Sequence, residues 1–417
     1  MALSAAIYTT LTTPVATGVQ AYAGVGFQPK ALIVWGCAAE STGTFSHAEL
    51  NWAVAAGSNS DFGVSVSSED GVGSTDVVSR QDIRRTINHD AQSPGIGDWA
   101  AALTSFDADG FTLNYSVVGT SSRTWNCLAF GGDDFASAAV GSFTVVSSLG
   151  NQSITGVGFR PTAVIFSSAR PAVAGDGASV GFRAYLGMAV YTTSNQGVSA
   201  FANRDANAAG TGNSLQRTSL AITQFVDKTV QAEANLTGFD VDGFSLNWST
   251  LNAGSTLTCY YAAFTGGQWA QGSFTQSTTT GVQTVTGVGF TPRGTLLQSC
   301  CNAATNGSVV DSKLAIGAAV GTNSRLAAWC GGNLGADPTQ EDRDQDPTSV
   351  LRMLEPGATP TVVGDADYAS NDNDGFTLNW DTADGTAREI LYLCFGDNPA
   401  APAAAATDTD SYVLASY

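Results

Sequence analysis

The sequence predicts an all-β chain of three tandem antiparallel β-sandwich domains, jelly-roll-like in character, and three observations carry that expectation. The first is an internal repeat. Gly24-Val25-Gly26-Phe27-Gln28-Pro29 returns as Gly156-Val157-Gly158-Phe159-Arg160-Pro161 and as Gly287-Val288-Gly289-Phe290-Thr291-Pro292, at spacings of 132 and 131 residues. Solenoid repeats run about 20 to 50 residues, so a period this long means whole folding units in series. The second is composition: 417 residues exceed what one hydrophobic core usually serves, and 47 glycines with only 13% charged residues suit short strands and tight turns. The third is the periodicity inside the repeated blocks.

After the proline of the first block come Ala31-Leu32-Ile33-Val34-Trp35, Ala163-Val164-Ile165-Phe166 and Thr295-Leu296-Leu297. Such unbroken apolar runs are expected of a strand buried on both faces. Paired strand candidates follow in each copy: 52–54 with 62–64, 185–190 with 198–201, and 314–317 with 326–329. The second block, Asp107-Ala108-Asp109-Gly110-Phe111-Thr112-Leu113-Asn114-Tyr115, recurs from Asp240 to Trp248 and from Asp372 to Trp380. There Phe111, Leu113 and Tyr115 alternate with Thr112 and Asn114, the pattern of a half-buried strand launched from a turn. A third block sets Leu128-Ala129-Phe130 against Ala262-Ala263-Phe264 and Leu393-Cys394-Phe395. The first two blocks are 84, 85 and 86 residues apart and the last two 20, 21 and 20. Roughly seven to nine strands per copy favour a two-sheet sandwich over a barrel. The expected units are residues 1–137, 138–269 and 270–398, followed at 399–417 by a Pro/Ala linker and a terminal strand.

That terminal strand, Ser411-Tyr412-Val413-Leu414-Ala415-Ser416-Tyr417, resembles the openings of copies two and three, Gly141-Ser142-Phe143-Thr144 and Gly272-Ser273-Phe274-Thr275. Copy one has its own counterpart at Ala6-Ile7-Tyr8-Thr9, so one strand is left over. It is expected to add to an exposed sheet edge, on a neighbouring subunit or on the first domain, where otherwise it would be a frayed end.

A net charge of −19, with three lysines at Lys30, Lys228 and Lys313, repels phosphate backbones and argues against nucleic acid as a partner. The longest apolar stretch is about half of a membrane-spanning helix, and no membrane association is expected. Nor is Sec export, since the first basic residue is Lys30 and Pro14 breaks the start. The seven cysteines show no CxxC pair or metal-ligand spacing and read as small buried core residues, as suits a reducing cytoplasm.

No catalytic, cofactor-binding or metal-ligating residue is assigned. His47 and His89 lie in no nucleophile-elbow or HExxH pattern and read as surface or loop histidines. The Asp-x-Asp-Gly elements at Asp107, Asp240 and Asp372 lack the further acidic ligands of an EF-hand, and they read as hairpin turns rather than calcium sites. Asn114, Asn247 and Asn379 are expected to bond adjacent loop backbone, and Tyr115, Trp248 and Trp380 to pack in the core rather than form a sugar platform. The acidic stretch Glu341-Asp342-Arg343-Asp344-Gln345-Asp346, set against Glu69-Asp70-Gly71 and Arg204-Asp205-Ala206, reads as a solvated surface loop.

Together the Gly-x-Gly-Phe-x-Pro block, the Asp-Gly-Phe-Thr-Leu-Asn-Trp block and a closing strand ending Ala-Phe-Gly-Gly or Cys-Phe-Gly-Asp resemble domains of virion structural proteins of tailed bacteriophages. The resemblance covers all three copies, with Tyr115 replacing tryptophan in the first, and leaves out the C-terminal tail. It implies a non-enzymatic protein assembled in the host cytoplasm and carried on the virion, whose partners are the major capsid protein or tail proteins. Three similar domains in one chain suit a capsid-surface decoration or cement protein acting as a pseudo-trimer. The alternative is a tail or fibre adhesin that binds host surface glycans or receptors by multivalency.

Overall fold

The computed structural model describes residues 3–39, 41–90, 97–169, 175–190, 195–252, 257–303 and 306–398. The chain is all-β, with several antiparallel sheets. In copy one the strands are β1 (Leu3–Thr12), β2 (Gly18–Ala23), β3 (Pro29–Ala39), β4 (Gly43–Ser46), β5 (Ala48–Gly57), β6 (Ser60–Ser68), β7 (Val77–Ile83), β8 (Ile87–Asp90), β9 (Gly97–Asp107), β10 (Gly110–Val117) and β11 (Thr124–Gly132). A four-stranded sheet of order β2-β10-β9-β8 faces a larger one of order β1-β11-β3-β5-β6-β7. Copies two and three repeat both orders. Each copy has eleven strands among the described residues, more than the seven to nine expected, because strands as short as β4 carry no readable alternation. Two-residue turns join β5 to β6 and β9 to β10 within one sheet, while the chain crosses between the sheets from β1 to β2 to β3, from β7 to β8 and from β10 to β11.

Every larger sheet is completed by another copy. Gly177–Val180 of copy two pairs antiparallel with β7, Ser308–Val310 of copy three pairs with Asn213–Arg217 of copy two, and β4 of copy one pairs with Glu341–Asp346 of copy three. The exchange runs one way and closes on itself, giving the connectivity threefold cyclic symmetry. Leu3 N–H donates to Asp397 Oδ1 at 2.8 Å, so the first strand and the last meet at the seam that closes the ring.

The unbroken apolar runs are explained by a core on each side. Along β3, Leu32 and Val34 point into the core between the two sheets of copy one, while Ile33 and Trp35 point into a second core shared by all three copies. Val164 and Phe166 divide in the same way from Ala163 and Ile165, as does Leu297 from Leu296. The shared core is thickly aromatic where the third blocks converge. Phe130 lies 4.8 Å from Phe395 and 6.2 Å from Phe264, with Phe135 stacked on Phe130 and Trp269 stacked on Phe264. The copies therefore pack against one another across a shared core.

Candidate functional site

The repeated sequence blocks meet in space. Asp109, in the turn between β9 and β10, accepts Gly26 N–H at 2.6 Å and Gly24 N–H at 3.2 Å. Asp242 holds Gly158 and Gly156 at 2.6 and 3.0 Å, and Asp374 holds Gly289 and Gly287 at 2.6 and 3.1 Å. The first glycine of each pair sits at a φ of 85 to 93°, a conformation that turns successive N–H groups toward one acceptor. The glycine after the aspartate answers to packing instead: a Cβ on Gly243 would lie 2.0 Å from Ile154 O. The leading aspartates accept side-chain hydroxyls, Thr112 to Asp107 and Ser245 to Asp240. The turn reading thus accounts for both carboxylates of the element.

Tyr115, Trp248 and Trp380 are buried in the cores between paired sheets. Trp248 and Trp380 donate to Gln152 and Gln283 at 2.9 and 2.8 Å, whereas the shorter Tyr115 meets Tyr22 hydroxyl to hydroxyl at 2.6 Å. The asparagine expectation needs correcting: Asn247 bonds the side chain of Asn151 and Asn379 that of Asp381, not loop backbone.

His89 also departs from expectation. It is a buried residue of β8, packed against Trp99 and Trp125, and burial lowers its pKa to about 3. His47 is half-buried, and its Nδ1 accepts Asp70 N–H at 3.0 Å. All seven cysteines are buried and free of disulfides, and burial raises Cys37, Cys259 and Cys300 to about 12. These thiols are neutral at physiological pH and shielded from solutes.

The largest correction concerns 341–346. It is a strand inside the larger sheet of copy three, with Glu341 fully buried and Asp344 1% exposed. Three of its charges, on Arg343, Asp344 and Asp346, are matched by ion pairs. Arg352 pairs with Asp344, Asp346 and Asp365, and Arg343 with Glu49 of copy one at 3.2 Å. The charge run hid the strand because the strand that covers its outer edge, β4, lies about 300 residues away.

Beside it the copies interlock. The loops before β7 and its two counterparts exchange backbone hydrogen bonds in a circle: Thr75 with Ala206 and Asn207, Gly210 with Gly335 and Ala336, Thr339 with Gly71 and Val72. Glu341 sits at this junction. Its Oε1 accepts Asn203 Nδ2 at 3.0 Å, its N–H donates to Asp70, and its Oε2 has no partner. Burial, reinforced by the Asp342 and Asp70 charges, pushes its carboxyl up to about 8. A Cβ on Gly332 would fall 1.9 Å from that Oε2, so a larger residue there would displace the Glu341 carboxyl.

A set of glutamines at the copy boundaries escaped the sequence reading. Gln81 accepts Ala169 N–H at 3.1 Å, Gln216 accepts Cys300 N–H at 3.0 Å, and Gln345 accepts Cys37 Sγ–H at 3.7 Å, each reaching into the next copy round the ring. The one signal was a glutamine at a similar place in each copy, too common a residue to stand out.

Among the described residues no three His, Cys, Asp or Glu come together as a metal site. Two open cavities lie near copy boundaries. One of about 450 Å³ runs beside β1 against Arg293 and Val320, and one of about 380 Å³ lies in copy two around Arg183. No model of a known protein family matches the chain, and no curated protein sequence does.

Proposed function

We propose that the chain is a non-enzymatic structural protein of a tailed-phage virion, a capsid-surface decoration or cement protein whose three sandwich domains are pseudo-equivalent. The observation that carries this reading is the one-way strand exchange, which makes a single chain the equivalent of a cyclic trimer. Such a body presents the same surface three times and matches a site where three capsid surfaces meet. The repeated motifs add support, because their residues are spent on backbone clamps and core packing. An acidic surface of net charge −19 keeps a protein displayed in many copies soluble.

In this reading the partners are the major capsid protein and, through a strand added by residues 399–417, neighbouring subunits. That segment lies outside the described residues. Assembly takes place in the host cytoplasm, where free thiols persist. The test is quantitative mass spectrometry of purified particles, with tens to hundreds of copies per virion expected. A stoichiometry of a few copies would move the protein to the tail as an adhesin, and its absence from particles would overturn the proposal.

A further inference from the structure

The cavity of about 380 Å³ in copy two is lined by Gly181, Phe182, Arg183, Arg204, Asp205 and Val226, with three neighbours, and the Asp205 carboxylate in its wall accepts Val77 N–H at 3.0 Å. Arg183 is half-buried, and no carboxylate pairs with it among the described residues. A second cation in the cavity wall, Arg204, repels it and is itself paired with Asp227.

The internal repeat supplies a control for this unmatched charge. Arg183 and Lys313 hold the same register, opposite Ala202 and Gly331 on the following strand. In copy three, Lys313 Nζ lies 2.6 Å from Glu355 and 3.8 Å from Asp311. The position of Asp311 is Gly181 in copy two, and both have a φ of 68°. The position of Glu355 is Val226, counting from Leu351 and Ile222, which pair with the equivalent Ala366 and Ala234. Copy two has thus kept the cation, lost both of its acids, and opened a cavity between their places.

A partly buried guanidinium without a counter-charge is costly, and it gains most from an oxyanion that takes its two N–H donors side by side. We infer that the copy-two cavity binds the carboxylate or phosphate group of a small ligand, held by Arg183 with Arg204 at its side. Asp227 neutralises Arg204, and Asp205 is spent on Val77 N–H, so the unpaired Arg183 guanidinium carries the attraction. The cavity volume falls within the range of small-molecule sites, about 300 to 1,000 Å³.

The test is calorimetric titration of the full chain at low ionic strength with inorganic phosphate, with glucuronate, and with glucose as the neutral counterpart. Saturable binding of one equivalent of phosphate or glucuronate, but not glucose, is expected. Phosphate alone points to a phosphoryl ligand and glucuronate alone to a sugar acid. Val226→Glu restores the carboxylate that copy three has, and it should weaken binding by about tenfold or more while the chain melts as before. Arg183→Gln should have the same effect. Failure of both anions to bind, equal binding of glucose, or full affinity in folded Val226→Glu would overturn the inference.

Discussion

At the scale of single residues, Asp109, Asp242 and Asp374 tie together segments more than eighty positions apart, each with one carboxylate on two backbone N–H groups. Because these bonds are exposed, Asp242→Ala should cost about 1 kcal/mol in urea unfolding. An unchanged midpoint would mean that water replaces the carboxylate without loss. Glu341 makes a sharper prediction. Its folded pKa of about 8 lies above the ordinary carboxylate value of 4.5, so between the two the folded chain keeps a proton that the unfolded chain has released. Stability is then greatest at the acid end of that window and falls as pH rises toward 8, by at most about 1.4 kcal/mol per pH unit. Asp342, raised to about 6 by burial, adds to the fall at the acid end. Unfolding midpoints at pH 5.5, 7 and 8.5 should drop less steeply in Glu341→Gln than in the parent, and equal slopes would assign the effect elsewhere. His89 acts in the opposite sense: buried neutral with a pKa of about 3, it removes stability as pH falls below its ordinary value of 6.5.

Among the elements, the short exchanged strands connect the copies most directly. Gly177–Val180 covers the edge of β7, an edge that would otherwise invite pairing with foreign chains. Two prolines at Ala178 and Ser179 remove the one of their alternating N–H groups that faces β7 and should cost about 1 kcal/mol. Hydrogen exchange should then show loss of protection along Val77–Ile83, with Asn213–Arg217 and Glu341–Asp346 protected as before. Unaltered protection of Val77–Ile83 would show that the exchanged strand does not hold that edge.

The whole molecule depends on the shared core. Phe130 is 1% exposed and contacts rings from all three copies, so Phe130→Ala should cost about 3 to 5 kcal/mol and lower one common unfolding transition. A residues 138–269 fragment would lose its covering strand Ser308–Val310 and bare Ile165, Met188 and Phe264. No folded monomer of that fragment is expected, and light scattering coupled to gel filtration should find trimers or unfolded chain. A stable monomer would show that the central core is dispensable.

The repeat, the all-β character, the doubly buried strands and the turn at Asp-x-Asp-Gly were legible because each rests on local rules: side-chain period, apolar runs and backbone demands met within a few residues. Gly26 and Asp109 were both visible, but not that one holds the other. The exchange of Gly43–Ser46 stayed hidden because its partner strand lies about 300 residues away, and the burial of His89 and of 341–346 because polar residues matched inside a fold look solvated in sequence. By itself the sequence determined the apolar and alternating strands of the repeated blocks and how often the plan recurs. Only the tertiary structure decided that the copies close into a ring, because closure depends on which free edge meets which strand, and a backbone edge carries almost no side-chain signature.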